Sequence, residues 1–190
     1  MILATNNKGK LKEIRSILSD YKIYSLKEKN IEVEIVEDKD TFFENAKKKA
    51  MEIYEMTHEP TIADDSGLCI HALNNFPGVM THRFLGEDAT DEDRNNYLIR
   101  QLDNYEDRSA SVICNLVYYD GKNIVCGEGV LEGTIAKERR GQNGFGFDEI
   151  FELPNGKTLA ELSSEEKNRM SARYLAATDL KRKLENARNA

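Results

Sequence analysis

The sequence predicts a single α/β domain built on a mixed sheet, and three observations carry that expectation. Short apolar strand-like runs alternate with amphipathic helical stretches, the pattern of α/β units. Two further strand-like runs, residues 110–119 and 123–131, are separated by Asp120-Gly121, a turn signal that adds an antiparallel hairpin. The chain has 190 residues, 39% of them hydrophobic. That is the size of one domain, large enough to bury a core without disulfide or metal staples.

The elements follow in order. Ile2-Leu3-Ala4 reads as a short buried strand running into the polar segment Thr5 to Lys10. Leu11, Ile14, Ile17 and Leu18 then fall on one helical stripe. Residues 21–26 and 31–36 alternate as strands or extended segments, and Phe43, Ala46, Ala50 and Ile53 mark a second amphipathic helix over 41–56. Pro60 ends it. Thr61-Ile62-Ala63 is a buried strand feeding into Asp64-Asp65-Ser66-Gly67, and residues 74–89, with Pro77, Gly78 and Gly86, read mostly as loop. Thr90 followed by Asp91, Glu92 and Asp93 caps a helix carrying Tyr97, Leu98 and Leu102. After the hairpin, residues 139–146 form a Gly-rich loop and Ser163-x-x-Glu166 matches a capping box. Met170, Tyr174, Ala177 and Leu184 mark a C-terminal helix. No repeat, linker or low-complexity tract interrupts residues 1–190, so one domain is expected.

Charge narrows the function. There are 34 Asp and Glu against 27 Lys and Arg, a formal net charge of −7. Binders of nucleic acid or membrane surfaces need an excess of cations, so both are disfavoured. A small phosphate-bearing ligand needs only a local basic cluster. Cys69, Cys114 and Cys126 lack Cys-x-x-Cys spacing and fit small buried hydrophobes of a reduced protein. His58, His71 and His82 have no metal-ligand spacing. No run approaches about 18 apolar residues, so neither a signal peptide nor a membrane span is expected, and the location expected is cytoplasmic.

Three segments could carry chemistry. Thr5-Asn6-Asn7-Lys8-Gly9-Lys10 is a strand-to-helix junction with a hydroxyl, amides and two lysines, a fit for an anion. It is not a Walker A loop, since Ala4 and Leu11 stand where Gly and Ser or Thr belong. Taken alone, an ordinary capped turn explains it better. Asp64 and Asp65 end an apolar strand, where carboxylates are costly unless paired or bound to a cation such as Mg²⁺. A plain Asp-Ser-Gly turn is the alternative. In Gly141-Gln142-Asn143-Gly144-Phe145-Gly146-Phe147-Asp148 the glycines allow close backbone approach and the phenylalanines offer faces to a planar base. Core aromatics flanking a loop explain it equally well. Ser66 is not in a G-x-S-x-G elbow, so metal-assisted attack of water on a phosphate, with a carboxylate as base, is the implied chemistry.

Together these segments resemble the inosine triphosphate pyrophosphatase family, the dITP/XTP pyrophosphatases. The likeness runs from Ile2 to about Ala177 with the motifs in family order. They are Thr5-x-Asn7-x-x-Lys10, Thr41-Phe42-Phe43-Glu44-Asn45-Ala46 through Lys49-Ala50, and Asp64-Asp65-Ser66-Gly67-Leu68. Phe76-Pro77-Gly78-Val79 and Gly86-Glu87-Asp88-Ala89-Thr90 follow. Gly144-Phe145-Gly146-Phe147-Asp148 and Glu165-Glu166-Lys167-Asn168 with Ser171 and Arg173 complete the set.

The resemblance implies an elongated mixed sheet in two lobes, a nucleotide in the cleft between them, and a homodimer. Thr5, Asn6, Asn7, Lys8, Gly9 and Lys10 would cradle the triphosphate with Lys49, and Ser66 would touch substrate. Glu37, twelve residues before Lys49, and Asp65 would hold Mg²⁺, with Mn²⁺ as an alternative, and Asp65 would be the base. Phe145, Gly146, Phe147 and Asp148 would form the base pocket, Phe147 stacking on the purine, with Lys167 and Arg173 closing it. The implied reaction cleaves ITP, dITP or XTP to monophosphate and pyrophosphate. One departure stands out: Ser171-Ala172-Arg173 replaces the family's usual Ser-His-Arg, removing an imidazole at the base end. The rivals are a pyrophosphatase for modified pyrimidine nucleotides and a nucleotide-binding regulator with reduced turnover.

Overall fold

A computed structural model describes residues 1–189; the last residue of the expected 1–190 domain lies outside these. The strands are β1 (Ile2–Leu3), β2 (Tyr24–Ser25), β3 (Thr61–Ile70), β4 (Phe76–Pro77), β5 (Ser109–Tyr119), β6 (Ile124–Ile135) and β7 (Phe151–Glu152). The α-helices are α1 (Lys8–Ile17), α2 (Phe42–Thr57), α3 (Asp91–Gln101), α4 (Ser164–Asn168) and α5 (Ala172–Asn189). The strands join in one mixed sheet of order β2-β1-β3-β5-β6-β7, with β4 on β3. β1 is parallel to β2 and β3, whereas β3–β4 and β6–β7 are antiparallel. The fold is mixed α/β.

The chain divides into two compact units. The first holds Met1–Ser66, Cys114–Gly129 and the segment from Ala172 onward; the second holds Gly67–Ile113 and Val130–Ser171. In the first, Ile2, Ala4, Leu26, Ala46, Ala50, Ile53, Ala63 and Val117 form a buried cluster. Helix α1 contributes Ile14, and Ala176, Ala177 and Leu180 of α5 are likewise buried. Glycine makes one contact here possible. A Cβ on Gly127 would lie 2.1 Å from the Ala176 carbonyl oxygen, and one on Gly129 2.0 Å from that of Ala172. The period-2 glycines of β6 therefore form a flat track on which α5 lies directly.

Local chemistry explains the helix starts. Asn7 caps α1 by accepting from the N–H groups of Gly9 and Lys10. Thr41 caps α2, while Thr90 and Asp93 form a full capping box on α3, as do Ser163 and Glu166 on α4.

The structure departs from the sequence reading in five places. Residues 31–38 have no regular secondary structure, although Ile31, Val33 and Ile35 keep their alternation by packing on the core cluster. Strand β3 does not end at Ala63; it continues through both aspartates and Ser66 because Leu68, Cys69 and Ile70 extend the buried run. The loop at 74–89 contains β4 and a 3₁₀ turn at Gly78–Met80, and β7 was not anticipated. The capping box starts the short α4, separate from α5.

Candidate active site

In the first unit, β3 presents Asp64 and Asp65 as consecutive residues, so the pleat sends their side chains to opposite faces. Both are buried, 2% and 4% exposed. Their surroundings differ. Asp64 Oδ2 lies 3.0 Å from Lys10 Nζ and 3.5 Å from Arg173 Nε, both ion pairs. Arg173 Nη1 in turn donates to Glu13 Oε2 at 2.5 Å. Asp65 meets neutral donors instead: Asn45 Nδ2 at 3.0 Å on Oδ2 and its neighbour Ser66 N–H at 2.9 Å on Oδ1. Lys49 Nζ bridges Glu37 Oε1 and the Asp64 carbonyl oxygen, each at 2.5 Å.

Those surroundings push the two carboxyl groups apart. Burial raises the Asp64 carboxyl, but Lys10, Arg173 and Lys49 outweigh it and hold the group well below its ordinary range. Asp65 is pushed up to about 6, first by burial and then by the Glu37 charge, against partial relief from Lys49 and Asn45. Burial alone would lower the Lys49 ammonium; Asp64 and Glu37 overcome it and raise the group. Cys114, buried in the same region, is pushed up to about 12 by desolvation and stays a thiol. Adjacent carboxyl groups with opposed shifts are the pattern of divided roles, one fixed charge and one proton acceptor.

Sequence order explains how the ring assembles. Lys10, Glu13, Ile14 and Ile17 sit at helical spacing on α1, so Lys10 and Glu13 share a face that Ile14 anchors. On α2 the buried positions are Phe42, Asn45, Ala46, Ala50 and Ile53. Asn45 spends its amide on three partners: it accepts from Lys39 N–H and donates to Lys39 O and Asp65 Oδ2. One buried amide thus fixes both the segment that follows Glu37 and the orientation of Asp65.

At the N-terminal loop, Thr5 Oγ1 accepts from Asn7 N–H at 3.1 Å, and Asn6, Asn7 and Lys8 are exposed. This loop is a capped turn whose exposed polar groups stand beside the inward-turned Lys10, 14% exposed.

In the second unit, the 3₁₀ turn Gly146–Glu149 carries the aromatic loop. Asp148, 4% exposed, accepts from Phe145 N–H at 3.0 Å and from Lys167 Nζ at 2.6 Å. The Lys167 ammonium also lies 4.6 Å from the centre of the Phe145 ring. Gly144, at φ +81°, leaves no room for a side chain, because a Cβ there would meet Asp148 Oδ2 at 2.0 Å. Phe145 is exposed and Phe147 half-buried.

The expected residues therefore fall into two sets. Lys10, Glu37, Lys49, Asp65 and Arg173 belong to the first unit's charged ring, with Ser66 at its edge. Phe145, Gly146, Phe147, Asp148 and Lys167 belong to the second unit. Arg173, which the resemblance grouped with Lys167, has its guanidinium on Glu13 and Asp64. Ala172, at the departure from the family pattern, is 3% exposed. Glu13, Asn45 and the charge-fixing part of Asp64 were not anticipated. For Glu13 and Asn45 the one signal was a polar residue at an inward helical position. Among the described residues no group of three or more His, Cys, Asp and Glu gathers into a metal cage.

The Ham1 family model matches residues 1–183, and the chain belongs to that family. It is similar to a dITP/XTP pyrophosphatase of Aquifex aeolicus, 43% identical over all of this chain and 98% of that protein. The solved Ham1 protein of Staphylococcus aureus has a TM-score of 0.90 at 35% identity, covering 98% of each chain. The HAM1 protein of Coxiella burnetii also reaches 0.90, at 39% identity over 97% of this chain and 98% of its own.

Proposed function

We propose that this chain hydrolyses the non-standard purine nucleoside triphosphates dITP, XTP and ITP to the monophosphate and pyrophosphate, clearing them from the nucleotide pool. The observation that carries the reading is Asp65: a buried carboxyl group pushed up to about 6, set beside the charges of Glu37 and Lys49, with Lys10 held on the adjoining Asp64. That is a poised base within a phosphate-binding charge pattern. The names of its full-length relatives support the substrate class.

Asp65 and Glu37 fit a hard divalent cation. Their mutual repulsion is relieved by one, each Asp65 oxygen has a lone pair beyond its single hydrogen bond, and Mg²⁺ habitually takes one or two carboxylates and completes its shell with water and phosphate. Mn²⁺ shares that chemistry. When bound, the ion would supply charge neutralisation for the triphosphate. The chain's own residues do the rest. Asp65, in its ionised form, accepts the proton of a water that attacks the α-phosphorus, and the α–β bridging oxygen leaves on pyrophosphate. Lys10, Lys49 and the Thr5–Lys10 loop bind the phosphates, with Ser66 in support. Asp64 keeps Lys10 in place, and Asn45 aims Asp65. The base is assigned to Phe145, Gly146, Phe147 and Asp148 with Lys167, and Arg173 acts from the first unit's ring.

The two units serve as one functional domain. We take the enzyme to be a cytoplasmic homodimer acting on free nucleotides; no described helix is long and apolar enough to cross a membrane. The acidic chain should bind nucleic acid weakly at physiological salt. The test is product analysis with ITP, XTP, dITP, GTP, ATP and dUTP in Mg²⁺. Monophosphate plus pyrophosphate from the first three supports the reading. Orthophosphate, preference for dUTP, or binding without turnover sinks it.

A further inference from the structure

Helix α3 lies wholly outside the charged ring, yet it holds the aromatic loop by its backbone. Asn95, 2% exposed, donates from Nδ2 to the Gly146 carbonyl oxygen at 2.9 Å. Asp91 Oδ2 accepts from the Gly146 N–H at 2.9 Å. Positions 91 and 95 are i and i+4, so they share a face of α3, and the Thr90–Asp93 capping box fixes where that helix starts. Arg94 anchors the preceding segment by donating to the carbonyl oxygens of Phe84, Gly86 and Ala89 at 2.7–3.0 Å. Gly146 itself sits at φ +62°, a left-handed conformation that the backbone keeps only when held. With the loop's own Asp148 on the Phe145 N–H, three backbone polar groups of the loop are held, both of those on Gly146 from α3. The two rings are what remains to meet a ligand. A small cavity lined by Thr81, Phe84, Asn95, Leu98 and Phe147 lies behind one of them.

We propose that Asn95 and Asp91 are positioning residues for base selection: by gripping both backbone groups of Gly146 they set how Phe145 and Phe147 are presented to the purine. This rests on the assignment of that loop to the base. Neither residue needs to touch substrate. A loop displaced by about 1 Å loses stacking and selectivity while the phosphate chemistry is untouched.

Asn95→Ala should raise KM for ITP about tenfold and lower the ITP-to-ATP ratio of kcat/KM comparably, with kcat within about twofold. Inhibition by inorganic tripolyphosphate, which has no base, should not change. Because Asn95 is buried, Asp91, which is 57% exposed, supplies variants that keep the fold. Asp91→Ala should shift selectivity in the same direction, and Asp91→Asn, which keeps an acceptor for the Gly146 N–H, should restore it. Phe147→Ala separates the two levels. If it leaves selectivity unchanged, the base-loop assignment fails. If it abolishes selectivity while folded Asn95→Ala and Asp91→Ala variants keep the wild-type ratio and KM, the positioning proposal is overturned and the assignment stands. A loss confined to kcat, or a changed tripolyphosphate inhibition constant, overturns it as well.

Discussion

At the scale of single residues, Asp64 and Asp65 show how one dipeptide acquires two chemistries. Their identity is the same and their exposure nearly so; the partners differ, and the partners come from α1, α2 and α5. The cost of carboxylates after an apolar run was legible in the sequence. Which of them would be neutralised was not, because Lys10 and Arg173 are far away in the chain. Asp65→Asn should abolish turnover while stabilising the ligand-free protein at pH 7–8. The sign follows from linkage: a carboxyl raised from 3.8 to about 6 in the folded state favours folding only while protonated. Its contribution is therefore present below 3.8 and lost as pH rises through 6. Removing the charge should recover about 2–3 kcal/mol at neutral pH and little at pH 4, read by denaturant unfolding. Asp64→Asn should do the reverse, costing about 3–5 kcal/mol at pH 7 by leaving Lys10 and Arg173 short of their counter-charge. Because the Asp64 carboxyl is depressed, the wild-type stabilisation is full above 3.8 and is lost as pH falls below it, so the two variants converge in acid.

At the scale of elements, the capped helices and the Asp120-Gly121 hairpin were readable because their signals are local. Strand β3 was misread beyond Ala63 for the opposite reason. Asp-Asp-Ser-Gly is a turn by local propensity and becomes a strand here because Leu68, Cys69 and Ile70 carry the buried run past it while distant cations and Asn45 satisfy its carboxylates. The β6 glycines are a similar case. In sequence, Gly127 and Gly129 weaken a strand; in the structure they admit α5 at backbone distance. Gly129→Ala should therefore destabilise rather than stabilise the strand, since its Cβ meets the Ala172 carbonyl oxygen and not a flexible side chain. A cost of about 1–3 kcal/mol, or about 3–10 °C in Tm, is expected. An unchanged Tm would mean that α5 does not bear on β6 there. Gly156→Ala, at a site where a Cβ meets nothing within 4 Å but φ is +80°, measures the pure backbone penalty for comparison.

At the scale of the whole molecule, the absence of any linker made a single domain the natural reading, and nothing local marks the points where β3, β5 and β6 each contribute residues to both units. The net charge of −7 also has a thermodynamic consequence for the whole chain. An acidic body gathers divalent cations nonspecifically, so stabilisation by Mg²⁺ does not by itself identify a site. Proton competition does. A cation at Asp65 must displace the proton that Asp65 carries below about pH 6, so its affinity for the folded state should fall about tenfold per pH unit from there. Diffuse attraction to exposed carboxylates, which titrate near 4, stays almost constant over that range. The Mg²⁺-induced rise in unfolding midpoint should accordingly be large at pH 7.5 and mostly gone at pH 5. Asp65→Asn and Glu37→Gln should each remove the pH-dependent part. Glu87→Gln, which deletes one exposed charge and changes the net charge equally, should retain it. Equal midpoint shifts at both pH values in the wild type would place the cation on the acidic surface and away from Asp65.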